Sequence, residues 1–304
     1  MTQEEFVHRF VDEHDCKLYW KQMREQEGLI CVGCKGNSFR WHSGQYRWIC
    51  KGCKKSFSLR SGTVMQDSNL PFRIWLKAMN LMTVTKKSIS ALELQRQLGL
   101  KRYEPALYMM GKLRSAMGDR DGKYELEGNV ELDDGFITVI KPKQEEVEAK
   151  RGRGSKKKHA ILVMVSFNKS DINKKNRPNT IPGYLKLYAM NDLKAESVSE
   201  AVFDGVKTSK TCLKSDGYGS FRKLKKFVRK HNANVVHPTE AHIHLPWVHC
   251  TIGNLKRIID GIHHHINQEN LQLYLDEFAY KFNRRFFKSI FERLVIAGIH
   301  KSWA

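Results

Sequence analysis

The sequence predicts an α/β protein, with a sheet and flanking helices behind a small cysteine-bearing ribbon and a helical region. Three observations carry this expectation. After residue 120 the chain reads as three strands, a helix, a strand and then helices, an order that packs helices against a sheet. Four cysteines stand as C-x2-C-x15-C-x2-C from Cys31 to Cys53. Between these regions, residues 67–120 carry helical apolar periods divided by short turns.

In chain order, residues 4–26 place Phe6, Phe10, Val11, Leu18, Tyr19 and Met23 at amphipathic spacing, which predicts one or two short helices. Residues 31–63 are rich in Gly, Ser and aromatics and predict hairpins. Helices are expected over 69–84, with Pro71 near the start; over 88–100, stopping at Gly99; and over 102–118, ending in glycine. Two helices joined by a short turn form the helix-turn-helix pattern. Strands are expected over 129–140, 159–167, 184–190 and 211–216, and helices over 195–206, over the basic stretch 218–231, and over most of the chain from 249 onward. The charged segments 141–158 and 171–183 read as loops.

A chain of 304 residues suggests roughly two domains. Lys and Arg number 53 against 32 Asp and Glu, a net charge of +21, which favours a polyanionic partner, with nucleic acid as the default and an anionic membrane surface as the competitor. The longest apolar runs fall short of a membrane span, and the N-terminus is too polar and acidic for a signal peptide. A cytosolic location is therefore expected, where cysteines serve as thiols or metal ligands rather than disulfides.

Cys31, Cys34, Cys50 and Cys53 have the spacing of a four-thiolate zinc site, closed and therefore structural. Zn²⁺ would stabilise a hairpin unit too small to bury a core of its own. Lys51, Lys54, Lys55 and Arg60 surround the site, either as contacts to DNA phosphates or as a solvated basic face. Cys16, Cys212 and Cys250 have no partner spacing and read as ordinary small side chains.

Two aspartates invite a second metal. Strand alternation puts Glu131 and Asp133 on one face, with Asp134 on the other face or opening a turn at Gly135. Asp216 ends a strand at "SDGYG", a placement shared by metal ligands and plain turns. Two carboxylates holding Mg²⁺ would suit water activation and leaving-group stabilisation at a phosphodiester. A third acid is then expected, yet "LPWVHCTIGNLKR" (245–257) contains none.

Several segments together resemble one family. "GLICVGCKGNSF" and "RWICKGCKKSFSLRSGTVM" are similar to a transposase zinc ribbon, and "LPFRIWLKAMNLMTVTKKSISALELQRQLGL" to its helix-turn-helix segment. "VELDDGFI", the basic "RGRGSKKK", "KSDGYGSF" and "GIHHHINQENLQLYLDEFAYKFNRRF" are similar to the first-aspartate strand, basic loop, second-aspartate turn and C-terminal helix of the IS1595 group, the ISXO2-like transposases. The resemblance implies an RNase H-like catalytic domain with a DDE-type site. The implied boundaries are 1–66 for the N-terminal helix and ribbon, 67–120 for the helix-turn-helix region, and 121–304 for the catalytic domain with its C-terminal helices.

By position, Asp133 and Asp216 match the first and second aspartates. Members with a third Glu carry it seven residues before a Lys; Lys256 fits that Lys, which places His249 where the Glu would stand. Seven residues are two helical turns, so His249 and Lys256 share a face, while Asn254 points elsewhere. His249 is thus the expected third ligand and Asn254 the runner-up, with a packed histidine and a folded-back Glu240 as further alternatives. Imidazole suits Mn²⁺ better than Mg²⁺, so weaker binding and a tilt towards Mn²⁺ are expected.

The family also implies binding to double-stranded DNA, at element ends and target, by a homodimer or larger assembly. Lys101, Arg102 and Tyr103 open the second helix of the helix-turn-helix, where base edges are read. Arg151 and Arg153 in the basic loop, Lys256 and Arg257 beside the third position, and an exposed Arg284 and Arg285 are expected at backbone phosphates. His263, His264 and His265 diverge by about 100° each on a helix and do not share an ion easily. Tyr274, Phe278 and Phe282 read as core. A zinc-ribbon DNA-binding protein with an inactive catalytic domain is the rival reading.

Overall fold

A computed structural model describes residues 1–140, 158–170, 179–235, 240–264 and 266–301 of the chain. Arg151 and Arg153 lie outside the described residues. The chain divides into two compact units, Met1–Arg120 together with Phe286–Ala304, and Asp121–Arg285. The last nineteen or so residues therefore group with the N-terminal unit, not with the sheet as their place in the sequence suggests.

The first unit opens with helices α1 (Gln3–Arg9) and α2 (Glu13–Gln26). Thr2 and Asp12 cap them, each with an acid three residues on closing a capping box. A three-stranded antiparallel ribbon follows, β1 (Phe39–His42), β2 (Arg47–Cys50) and β3 (Ser56–Ser58). Trp48 of β2 is buried, stacks on Phe57, and donates its indole N–H to Glu25 on α2. Next come α3 (Phe72–Val84), α4 (Ala91–Leu98) and α5 (Glu104–Gly122). Gly99 ends α4 in the left-handed conformation, while α5 runs past Gly118, where the sequence had suggested an end.

The second unit is a five-stranded mixed sheet flanked by helices. Its strands are β4 (Leu126–Thr138), β5 (Lys158–Lys169), β6 (Thr180–Met190), β7 (Val206–Asp216) and β8 (Lys230–Asn234), in the order β6-β5-β4-β7-β8. The first three are antiparallel neighbours, and β7 and β8 add in parallel. This is the RNase H-like sheet that the resemblance implies. Helix α6 (Ala195–Gly205) precedes β7; α7 (Ala241–His244), α8 (Pro246–Ile258) and α9 (Leu271–Asn283) follow β8. The chain's last helix, α10 (Ile290–His300), belongs to the first unit: its Gly298 carbonyl accepts from Val64, and a Cβ there would meet Val64 Cγ1 at 2.9 Å.

The sheet has a core on each face. Ile161, Val163 and Val165 of β5 meet α8 and α9, while Leu162 and Met164 meet α6. A strand covered on both faces carries an unbroken apolar run, which explains "AILVMV". The expected basic helix over 218–231 is instead a 3-10 stretch, Gly219–Lys226, followed by edge strand β8. Phe221, Leu224 and Val228 are its buried side, and the cations between them are exposed.

Candidate active site and metal centre

In the ribbon, two turns of the same form bring the cysteines together. Cys31 N–H donates to Gly36 O and Cys50 N–H to Lys55 O, and the lysine after each pair, Lys35 (φ 59°) and Lys54 (φ 61°), is left-handed. All four sulfurs lie within 4.8 Å of one another, with Cys31–Cys53 and Cys34–Cys50 each 3.5 Å apart. Thiolates about 2.3 Å from a tetrahedral zinc stand roughly 3.8 Å apart, so the cluster fits that ion. As thiols, Cys31 is drawn down to about 6 by the backbone N–H groups of Cys34 and Gly33, and Cys50 falls below its ordinary value through the N–H of Cys53. Cys53, which the Lys55 N–H lowers, is nonetheless pushed up to about 11 by the neighbouring sulfurs, Cys31 first. Four sulfurs sharing protons in this way would release them to a cation.

Lys51, Lys54 and Lys55 are exposed around the cluster. Arg60 is a correction to the expectation of a basic face: its guanidinium donates to the carbonyls of Ser68 (2.5 Å) and Leu70 (2.6 Å) and lies over the Phe72 ring, so it ties a loop to α3. Lys101, Arg102 and Tyr103 occupy the exposed turn before α5.

The aspartates stand on two adjacent parallel strands, Asp133 within β4 and Asp216 at the carboxyl end of β7. Leu132 of β4 pairs with Ser215 of β7, so Asp133 and Asp216 follow side by side, on strands about 4.8 Å apart. β4 continues without a turn at Gly135, and Asp134 goes to the opposite face from Asp133. Asp133 is buried, with 8% of its surface exposed, and its Oδ1 accepts from the N–H of Asp134 at 2.9 Å. Asp216 Oδ1 accepts from Tyr218 N–H at 3.0 Å, while Gly217 permits the close approach of Val235, whose Cγ2 would lie 2.1 Å from an added Cβ.

Helix α8 crosses this face. His249 Nε2 stands 3.6 Å from Asp133 Oδ2, and the imidazole keeps about a third of its surface exposed (33%). Asn254 is on the exposed side of the helix, donating to Cys250 Sγ and accepting from Arg257 at 3.1 Å. Lys256 and Arg257 are exposed. Glu240 is exposed ahead of α7.

Sequence reasoning missed how α8 is held. Pro246 opens the helix without an N–H, and Leu245 offers no side-chain cap. The next two N–H groups, of Trp247 and Val248, both donate to Glu131 Oε2 at 2.8 and 3.0 Å. Glu131 is 2% exposed; burial pushes its carboxyl up to about 7, against the pull of the Val248 and Trp247 N–H groups and of Lys214. Lys214, paired with Glu131 across β4 and β7, donates its ammonium to His244 O. The only advance signal was alternation, which put Glu131 on the face of Asp133.

Two expected phosphate ligands are structural. Arg284 is buried, pairs with Asp121 at 2.6 Å, and stacks 3.6 Å from the Tyr280 ring centroid. Arg285 donates to the carbonyls of Pro182, Gly183 and Phe282, and burial lowers its pKa. His263 lies edge-on to Tyr274, and among the described residues the four cysteines are the one group of three or more His, Cys, Asp or Glu side chains whose ligand atoms all lie within 4.8 Å of one another; Asp133, Asp216 and His249 do not all converge to that distance. No described helix is long and apolar enough to cross a membrane.

Comparison with known proteins gives likenesses of three kinds. An uncharacterized protein in transposable element ISH50 of Halobacterium salinarum is 26% identical over 152 residues, 49% of this chain and 50% of the relative. The chain thus spans about half the length of that curated relative. The pre-cleavage Mos1 transpososome, a crystal structure, aligns over 75% of this chain and 79% of its own at 11% identity, with a TM-score of 0.28, too low to carry an argument. The family model for the ISXO2-like transposase domain matches residues 125–283, over half of the chain and nearly all of the sheet unit. On that match, the chain belongs to the ISXO2-like transposase family.

Proposed function

We propose that the chain is a DNA transposase that binds the ends of its own element and catalyses strand cleavage and strand transfer there. One observation carries the active-site reading: His249 Nε2 lies 3.6 Å from Asp133 Oδ2, with Asp216 next to Asp133 on the adjoining parallel strand. Asp133, Asp216 and His249 would hold Mg²⁺ or Mn²⁺, which when bound polarises the scissile phosphate and lowers the pKa of a coordinated water. The protein's own part is to present two carboxylates and an imidazole from two strands and a helix, with Lys256 and Arg257 exposed further along that helix. Cleavage breaks the bond to the 3′ oxygen at the element end and adds water across it. In transfer, the freed 3′-hydroxyl forms a new phosphodiester with target DNA and displaces an equivalent oxygen, so the bond count is unchanged.

In this reading Cys31, Cys34, Cys50 and Cys53 hold a structural Zn²⁺. The exposed Lys101, Arg102 and Tyr103 would meet base edges or phosphates at the element ends, and Lys256 and Arg257 phosphates near the reacting strand. Joining two ends calls for a homodimer or larger assembly on double-stranded DNA, in the cytoplasm of a prokaryotic cell.

The test is strand cleavage on DNA carrying the element's ends, in Mg²⁺ and in Mn²⁺, with wild type, Asp133→Asn and His249→Ala. Wild type should cut at the ends and favour Mn²⁺. Asp133→Asn should lose several kcal/mol of transition-state stabilisation, on the order of a thousandfold in rate. His249→Ala should lose less and lose the Mn²⁺ preference. Binding without cleavage by all three proteins in both metals favours a DNA-binding protein with an inactive catalytic domain.

A further inference from the structure

We propose that Glu131 and Lys214 are positioning residues: together they clamp the first turn of α8 and so set His249 against Asp133. The proposal rests on the reading of His249 and Asp133 as ligands given above.

The argument starts from what the first turn of a helix lacks. Its leading N–H groups have no partner within the helix, and the end carries roughly half a positive charge. In α8 neither Leu245 nor Pro246 relieves this, because the first supplies no cap and the second no N–H. The two remaining donors, on Trp247 and Val248, converge on one buried carboxylate oxygen of Glu131. The next residue is His249. A carboxylate bonded to residues 247 and 248 therefore fixes the height and rotation of the turn that carries the imidazole.

Lys214 acts from the neighbouring strand. Its ammonium holds the carbonyl of His244, just before α8. Glu131 and Lys214 are register partners, and each stands two residues before an aspartate on its own strand, Asp133 and Asp216. Alternation puts all four on the face that α8 crosses. Further along β4, Gly135 lets the helix approach: a Cβ there would lie 3.2 Å from Ile252 Cδ1 and 3.3 Å from Ile161 Cγ1. The odd-numbered residues of β4 thus meet α8 in sequence. Glu131 holds residues 247 and 248, Asp133 faces 249, and Gly135 receives 252.

Such a device matters because a helix free to rotate or slide by an ångström would carry His249 off Asp133. Groups that orient metal ligands contribute about 10–100-fold in metal affinity or activity. A plain structural role predicts something different, a loss of stability with no dependence on His249.

The experiment uses the full chain, with Mn²⁺ as the probe, read by water-proton relaxation, and amide hydrogen exchange at Trp247 and Val248. The variants are Glu131→Leu, Glu131→Gln, Lys214→Met and their combinations with His249→Ala. Glu131→Leu should speed exchange at both amides and weaken Mn²⁺ binding by about 10–100-fold. Glu131→Gln keeps an oxygen acceptor and should fall between. In the His249→Ala background Glu131→Leu should weaken Mn²⁺ no further. Should Glu131→Leu fail to fold, Glu131→Gln and Lys214→Met carry the same comparison.

The clamp is overturned if exchange at Trp247 and Val248 is unchanged in the variants, or if their loss of affinity adds in full to that of His249→Ala. Equal Mn²⁺ binding by wild type and His249→Ala is a different result. It removes the ligand role of His249, and with it the positioning proposal, even where the amides respond.

Discussion

The ribbon and the sheet unit each carry a candidate metal site, the first with its four sulfurs already converged and the second with only His249 and Asp133 within 3.6 Å, and they are built by opposite means. In the ribbon all four cysteines come from residues 31–53, and two local turns do the gathering. In the sheet unit Asp133, Asp216 and His249 come from β4, β7 and α8, and contacts between residues 116 or 117 apart bring α8 into place. A locally built site depends on its ion, because little else holds the segment together. A site built over distance depends on the packed core beneath it, and its ion is a guest of a structure already formed. The two should therefore fail differently when broken.

The largest effect is expected in the ribbon. Cys31→Ser removes a buried sulfur from the cluster. Structural zinc contributes apparent binding energies of about 10–16 kcal/mol in small zinc domains, and that energy is folding energy. The variant should lose close to one zinc per chain by elemental analysis, and amides of β1–β3 should exchange rapidly. A chelator should reproduce the effect on wild type. Zinc content and ribbon exchange matching wild type would remove the metal from the account.

The sheet unit should instead break at a buried ion pair. Asp121 accepts from Arg284 at 2.6 Å and from Asn283 at 2.8 Å, and Arg284 is buried. Arg284→Ala strands that carboxylate, and breaking a buried pair costs about 3–5 kcal/mol. Thermal unfolding should register the loss with zinc content unchanged. On the proposed function, exposed cations such as Lys256 and Arg257 would behave otherwise. Their removal would leave stability alone and flatten the salt dependence of binding, by a slope of about 1 for each phosphate left unneutralised.

The same contrast explains what could be read in advance. The cysteine spacing was legible because the turns that use it are local. The unbroken apolar run of β5 and the alternation around Asp133 were legible because burial on one or both faces writes itself into a strand. Strand β8, "KHNAN", was not. It is an edge strand with four of five residues exposed, so no apolar pattern marks it. Arg284 and Arg285 look like surface cations in the sequence because charge alone does not reveal that a partner, Asp121 or a row of carbonyls, lies across the fold. Glu131 was placed on the right face, but its role appears only once α8 is docked. The matching of His249 to a ligand position came from the family resemblance, since helical spacing alone ties it to Lys256 and to nothing on the sheet.

That leaves the smallest expected effect, and the one that separates two neighbours on a single helix. Five residues beyond His249 are roughly 500° of rotation, which sends Asn254 away from the sheet. There it accepts from Arg257 and donates to Cys250, all three exposed. Surface substitutions away from special features change stability by no more than about 0.5 kcal/mol. Asn254→Ala should therefore leave stability, Mn²⁺ affinity and end cleavage within about twofold of wild type, while His249→Ala lowers the last two. A loss of Mn²⁺ affinity in Asn254→Ala equal to that in His249→Ala would mean that the helix turns on binding metal, and that the 3.6 Å approach of His249 to Asp133 is not the ligand geometry.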